Sequence, residues 1–220
     1  MKAIEFCNLS EEQKNQFSLN GKIAFEDKYI DQSSEDQQRL LDQYYSKEIF
    51  NKFIKQAQRR AQNYYGETDL FVYSALDMIK IKNKSVLVVG STQPWYEAIA
   101  VARDCKSCDV VEYGDRISFN DRVRYIKPGQ EKKYDVIISI SSFEHDGLGR
   151  YGDPINPNAD IESMQRMKQH LNQGGHLVLS VPVGLDKVVW NAHRVYGNVR
   201  FPMLIDGWSL IESFGFITSR

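Results

Sequence analysis

From Lys84 onward, short apolar runs alternate with helix-like segments, and that alternation leaves the chain very few folds. Ser85-Val86-Leu87-Val88-Val89-Gly90 is apolar after its first residue and closes on glycine, as expected of a strand buried on both faces. Residues 94–105 then read as a helix, with Pro94 suited to its first turn. Residues 109–114, 122–127 and 134–141 follow as strands, and a helix is expected over about 160–171. The turn Asn172-Gln173-Gly174-Gly175 leads into a fifth strand over 175–184. Residues 205–215 suggest one more helix, and Phe216 to Ser219 an incipient sixth strand. With right-handed crossovers, such a series makes an α/β fold, a doubly wound Rossmann-like parallel sheet with helices on both faces.

The N-terminal third has a different texture. Residues 1–33 are polar without clear periodicity and read as a loosely structured arm. Ser34-Glu35-Asp36-Gln37 has the capping-box pattern that opens a helix. Leu41, Tyr45, Ile49, Phe53, Ala57 and Ala61 then recur at helical spacing, predicting a helix over about 35–65 that ends near Gly66. A second helix is expected over 69–79. The chain therefore divides into an arm and helical extension, 1–68, and a Rossmann-like domain, 69–220. An exposed stripe of this size is a liability, so it should pack on the domain or on a second copy, as a homodimer through the N-terminal helices.

Charge and composition narrow the partners. The formal net charge is −1, which gives no global attraction to nucleic acid or an anionic membrane. The first residues turn acidic without an apolar signal core, and no apolar run approaches the roughly 18 residues of a membrane span. A cytoplasmic protein is expected. Cys105 and Cys108 form a C-x-x-C without a second Cys/His pair, so reduced structural thiols are expected and no metal.

In doubly wound sheets, ligands sit outside the carboxyl ends of the strands. Gly90 and Ser91 follow the first strand, where glycine allows close approach and a helix N-terminus can meet an anionic group. Glu112 lies about 22 residues beyond Gly90, where a carboxylate can accept from both hydroxyls of a ribose. Each also has a purely structural reading, as a tight turn and an exposed strand-end acid. The densest signal is Ser141-Ser142-Phe143-Glu144-His145-Asp146-Gly147-Leu148-Gly149-Arg150-Tyr151-Gly152-Asp153-Pro154. Its turn chemistry is interleaved with titratable groups at a ligand-facing edge, which spacer loops seldom combine.

The order VLVVG, EYG, YDVIISISSFEH and LNQGGHLVLSVP resembles class I S-adenosylmethionine-dependent methyltransferases. More closely, SSFEHDGLGRYGDP with WNAHRVYG resembles the domain-of-unknown-function family numbered 268, over roughly residues 70–216. The resemblance implies S-adenosylmethionine as cofactor, held by Gly90, Ser91, Trp95, Glu112, Tyr113 and Ser141. It implies methylation of a hydroxyl on a sugar, glycan precursor or small metabolite. His145 is then the first choice of base. Asp146 either orients His145 or replaces it, and His193 reaches over the site. Glu144, Arg150, Tyr151 and Asp153 would bind substrate. The departures are specific: Thr92 and Pro94 replace two glycines of the usual loop, and Val88 replaces an acid. They favour either a rearranged pocket or the alternative, a glycan-biosynthesis module of this fold that is non-catalytic or differently catalytic. A metal site of Asp146, Asp153 and His193 is a third reading. Structural roles remain open for both histidines.

Overall fold

In the computed structural model, which describes residues 4–30, 39 and 41–215, the apolar runs form the expected strands. In chain order come α1 (Glu11–Phe17), β1 (Ala24–Asp27), α2 (Lys47–Gln58), α3 (Glu67–Ile79) and β2 (Ser85–Val89). Next are α4 (Trp95–Ala102), β3 (Ser107–Val111), β4 (Val123–Ile126) and β5 (Tyr134–Ile140). The chain continues through α5 (Ala159–Gln169), β6 (Leu171–Ser180), β7 (Lys187–Trp190), β8 (His193–Val195) and α6 (Arg200–Leu204).

Five strands form one all-parallel sheet in the order β4-β3-β2-β5-β6. The order runs outward from β2 on one side and from β5 on the other, so the switch point lies between these two strands. This is the doubly wound, Rossmann-like arrangement. β2 lines up Val86 with Val136 and Val89 with Ser139 on β5. On its other edge Val86 meets Cys108 and Val89 meets Val111 of β3.

The described residues form two compact units. The five-stranded unit takes those within Gln37–Ile140, His170–Leu179 and Ser209–Arg220. The three-stranded unit takes those within Met1–Asp36, Ser141–Gln169 and Ser180–Trp208. The expected N-terminal extension is therefore shared between them.

In the five-stranded unit, α2 lays Phe50, Phe53 and Ala57 into the same core as Val86, Val88, Ile99, Val136 and Ile138. Phe53 meets Trp95 edge-on at 5.4 Å. Each buried ring of this kind contributes about 1.5–3 kcal/mol. The apolar stripe read from sequence is thus covered within its own unit. The single long helix is not found. Residues 41–44 are helical, Tyr45 leaves the helix, and Ser46 restarts it by accepting from the Ile49 N–H at 3.2 Å. α2 then ends at Gln58, well before Gly66. The Ser34 capping box lies outside the described residues. Cys105 and Cys108 are free, buried thiols; burial pushes Cys105 up to about 11 and Cys108 well above its ordinary value.

The N-terminal residues correct the expectation of a loose arm. Ser10 caps α1 in a full capping box, its hydroxyl accepting from Gln13 N–H while the Gln13 side chain accepts from Ser10 N–H. Phe17, Leu9 and Ile23 are buried with Leu148, Val188 and Trp190. β1 pairs in parallel with β7, Ala24 opposite Lys187 and Asp27 opposite Trp190. β7 turns back antiparallel on β8, which sets Val189 opposite His193. The stretch after the fifth strand, irregular by sequence, is therefore the middle and edge of a second sheet.

Two further boundaries move. β6 begins at Leu171, four residues before the expected start, because the backbone ladder already runs from Tyr134 N–H to the His170 carbonyl. The helix expected over 205–215 is absent. Residues 205–207 form a turn, and Leu210 and Ile211 are exposed, so no buried face stabilises a helix there. The proposed sixth strand, 216–219, lies outside the described residues. Among the described residues, no helix is long and apolar enough to cross a membrane.

Candidate functional site

At the carboxyl ends of the five-stranded sheet, Gly90 leaves β2 in the left-handed region, φ +73°. A residue with a Cβ would be strained there. Its N–H stays on the sheet by donating to the Val111 carbonyl at 3.1 Å. Ser91 follows, buried, and its hydroxyl donates to Glu97 Oε1 at 2.7 Å. Tyr125 on β4 donates to the same oxygen at 2.9 Å. Glu97 is fully buried in the first turn of α4, and burial pushes its carboxyl up to about 7 against the pull of these hydroxyls. Its second oxygen, Oε2, has no partner among the described residues.

Glu112, just past β3, pairs with Arg116 at 3.1 Å and accepts from the Tyr113 N–H at 3.3 Å. The Ser91 backbone N–H also bonds to it, and burial raises its carboxyl above the ordinary range. Tyr45 closes this cluster from the chain segment before α2. Its hydroxyl donates to the Ser91 carbonyl at 2.8 Å, and the Arg116 guanidinium lies 5.3 Å from its ring. Trp95 turns into the core beside Phe53, its indole N–H unpartnered among the described residues, while Tyr113 is exposed.

The three-stranded unit holds the second cluster, which begins with a 3-10 turn at Phe143–His145. His145 Nδ1 lies 2.6 Å from the Ala192 carbonyl. A carbonyl only accepts, so Nδ1 carries the proton and Nε2 presents a lone pair. Burial, then the charges of Arg150 and Arg194, lower His145 to about 4 despite that carbonyl. The imidazole is therefore neutral at physiological pH, with Nε2 free to accept a hydrogen bond, and burial makes it a weaker base than free imidazole. His193 packs edge-on at 6.5 Å and Tyr151 at 5.7 Å. Burial also holds His193 below its usual value.

Glu144 Oε1 is 3.8 Å from His145 Nε2 and accepts from the Ser141 hydroxyl. Its other oxygen is buried without a partner among the described residues. Burial pushes this carboxyl up to about 7, with Asp146 adding to the rise.

Asp146 does not orient His145, because its carboxylate is taken by the Ser163 hydroxyl at 2.6 Å. The orienting acceptor is the Ala192 carbonyl. Asp153 accepts from the Gly149 and Tyr151 N–H groups at 3.1 and 3.2 Å, which closes the loop on itself. Gly147, φ +76°, passes so near the Asn156 carbonyl that a Cβ would lie 2.1 Å from it. The metal reading of Asp146, Asp153 and His193 is not supported: these acids are spent on Ser163 and on loop N–H groups. Among the described residues, no group of three or more such side chains is placed to hold a metal ion.

What holds this loop in place went unread in the sequence. Arg194, fully buried, donates to the carbonyls of Asp146 and Pro157. Arg200 donates to both oxygens of Asp160 and Tyr196 to one of them, so Asp160 keeps its charge, its carboxyl held below the usual range. The signal was available in part. Arg194 and Tyr196 stand inside WNAHRVYG, whose Ala192 and His193 meet the loop directly. By spacing Tyr45 belongs to the apolar packing stripe and Glu97 only to the helix expected over 94–105; tertiary packing alone brings their polar atoms to Ser91.

Of the predicted residues, Gly90, Ser91 and Glu112 come together in the five-stranded unit. Ser141, Glu144, His145, Tyr151 and His193 come together in the three-stranded one. The fold and these clusters define an α/β protein of the Rossmann-like kind with a polar loop following the fourth parallel strand. The chain belongs to the family described as "Caenorhabditis protein of unknown function, DUF268", which matches residues 83–219. No curated protein matches it. Among solved structures it is similar to a protein from Galdieria sulphuraria described as a sarcosine dimethylglycine methyltransferase. The identity is 18% and the TM-score 0.28, over 49% of this chain and 57% of that one. The chain thus spans a little over half the length of that structure.

Proposed function

We propose that the protein is an S-adenosylmethionine-dependent methyltransferase acting in the cytoplasm on a hydroxyl of a sugar, glycan precursor or small metabolite. The observation that carries this reading is the placement of Gly90 and Glu112. Gly90 is in the left-handed region at the end of β2, beside the switch point, and Glu112 follows the adjacent β3. The buried polar atoms left unpaired near the strand ends, Glu97 Oε2 and the Ser139 hydroxyl, fit a ligand rich in donors and acceptors.

Gly90 and Ser91 would hold the cofactor, with Glu112 on the ribose hydroxyls; Trp95, Tyr113 and Ser141 complete the proposed set. When bound, S-adenosylmethionine supplies an electrophilic methyl group. The work of the chain is to position the acceptor and take its proton. His145 Nε2, fixed as the acceptor by the Ala192 carbonyl, takes the hydroxyl proton. Glu144, Arg150, Tyr151, Asp153 and His193 line the acceptor's place, and Asp146 braces the loop through Ser163.

A second reading has its own observation. The N–H, carbonyl and hydroxyl of Ser91 are all bonded within the chain, to Glu112, Tyr45 and Glu97. Such a strand end suits a module that keeps the fold without the cofactor. Calorimetry with S-adenosylhomocysteine separates the two. The methyltransferase reading expects binding that Glu112→Ala weakens roughly tenfold or more, the loss of about 1.5–3 kcal/mol in charged hydrogen bonds. It expects His145→Ala to bind equally well while turnover falls about 10²–10⁴-fold. No heat with the unaltered protein would leave the second reading standing.

A further inference from the structure

The charges around the two imidazoles are lopsided. Beyond burial, His193 is lowered by Lys28, Lys187 and Arg150, with Glu26 acting in the other direction. Lys187 is matched, since it pairs with Glu26 at 3.3 Å. Arg194 is matched by the loop carbonyls and by Asp160 at 3.7 Å. Lys28 and Arg150 are not matched: neither side chain has an ion pair or hydrogen bond among the described residues. Lys28 is exposed on the segment after β1.

Arg150 is more telling, because it is half-buried. Its guanidinium lies over the Tyr151 ring at 5.1 Å, and its Nε–H is sealed from solvent with no acceptor. The same Tyr151 ring packs against His145. An orphaned, charged donor is costly. It stands at one end of a continuous run, Arg150, Tyr151, His145, His193. A guanidinium placed over an aromatic ring keeps its N–H donors, and those donors suit a carboxylate or phosphate, which can accept two parallel bonds.

We infer that the His145–His193 cluster takes a small-molecule oxyanion, a carboxylate or phosphate on the substrate, bound by Arg150 with support from Lys28. This rests on the reading of the cluster as the acceptor site, and it adds a substrate class. The oxyanion satisfies the Arg150 Nε–H and offsets the positive field, while the neutral His145 Nε2 stays available to a hydroxyl elsewhere on the same molecule. An uncharged sugar could at most accept from the Nε–H, and it leaves the positive field unopposed.

The test is an NMR titration of the His145 and His193 ring signals with glucose, glucose 6-phosphate and glucuronate. Calorimetry with S-adenosylhomocysteine runs alongside on the same protein. The two anionic probes, or one of them, should move both sets of signals and raise the pKa of His193, since a nearby negative charge favours the imidazolium. Glucose should move neither. The anion that acts identifies phosphate or carboxylate as the recognised group. Arg150→Ala should weaken the active anion about 10–100-fold, the worth of one charged hydrogen-bonded contact. Lys28→Ala, a change at an exposed residue that leaves folding intact, should weaken it by roughly a factor of three.

Equal response to glucose, or anion binding untouched in both variants, overturns the inference. So does the absence of any response at millimolar anion, even when S-adenosylhomocysteine binds. Anion binding without S-adenosylhomocysteine binding upholds the inference and removes the cofactor reading instead.

Discussion

Glu97 in the five-stranded unit and Asp160 in the three-stranded unit are both carboxyl groups with no exposed surface. Glu97 meets two hydroxyl donors, Ser91 and Tyr125; Asp160 meets Tyr196 and two guanidiniums, Arg194 and Arg200. Burial pushes both toward the neutral form, and it wins at Glu97, which rises to about 7. At Asp160 the arginines win, and the carboxyl is held below the usual range. Hydroxyls satisfy the lone pairs without supplying charge, so the same burial yields a proton-holding acid in one unit and a permanent anion in the other. One group is poised to exchange a proton or a partner. The other is a structural pin.

The largest consequence should appear at the pin. Asp160→Asn leaves Arg194 and Arg200 buried without their counter-charge, and should cost about 3–5 kcal/mol in urea unfolding at neutral pH. The loop carbonyls of Asp146 and Pro157 would lose their order along with the arginines. A loss below about 1 kcal/mol would mean that Asp160 is no more than a surface-like pair, and the contrast with Glu97 would vanish.

Glu97 should show itself in pH dependence of the opposite sense. Its folded pKa lies above the unfolded value, so the folded state binds its proton more tightly. Stability is therefore full below about pH 4.5 and falls as pH rises through about 7. The drop attributable to Glu97 is about 3 kcal/mol. Glu97→Gln, which keeps the acceptor and cannot ionise, should remove it, as read by unfolding curves at pH 5 and pH 8. His145 runs the other way, since its folded pKa lies below the unfolded one; its penalty is present at acid pH and disappears as pH rises from about 4 to about 6.5. A Glu97→Gln protein with an unchanged pH profile would show that water reaches this carboxyl.

The smallest effect is at Tyr45. Its hydroxyl occupies the Ser91 carbonyl, a backbone group at the proposed cofactor end of β2. Tyr45→Phe frees that carbonyl while keeping the ring, and should tighten S-adenosylhomocysteine binding by about 2–10-fold, the worth of one neutral hydrogen bond. Weaker binding would make the hydroxyl part of the cofactor site instead of a competitor for it.

The five-stranded sheet was legible because its central strands, β2, β3 and β5, are buried along most of their length, so local apolar runs report them directly. Ser85–Val89 and Tyr134–Ile140 needed no partner to be recognised. β1, β7 and β8 were not legible. All three are only three or four residues long, and β1, largely exposed, finds its partner β7 across more than 160 positions of chain, as Ala24 does with Lys187. The capping box at Ser10–Gln13 was visible all along and matches the pattern read at Ser34. A seven-residue helix, however, is too short for periodicity to support it. The expected long helix failed at Tyr45 and Ser46, where a new cap competes with continuation.

The candidate site divides along the same line. The loop 141–154, Gly90 and Glu112 announced themselves through residue type and spacing at strand ends, because turn geometry and strand termination are local properties of the chain. The tautomer of His145, the diversion of Asp146 to Ser163, and the unmatched charge on Arg150 depended on residues far away in sequence. Burial and partner identity set a side chain's charge, and both are decided only when separate segments pack together. Sequence could therefore name the chemical groups, while tertiary structure decided which of them carry a proton, which are pinned, and which remain free to meet a ligand.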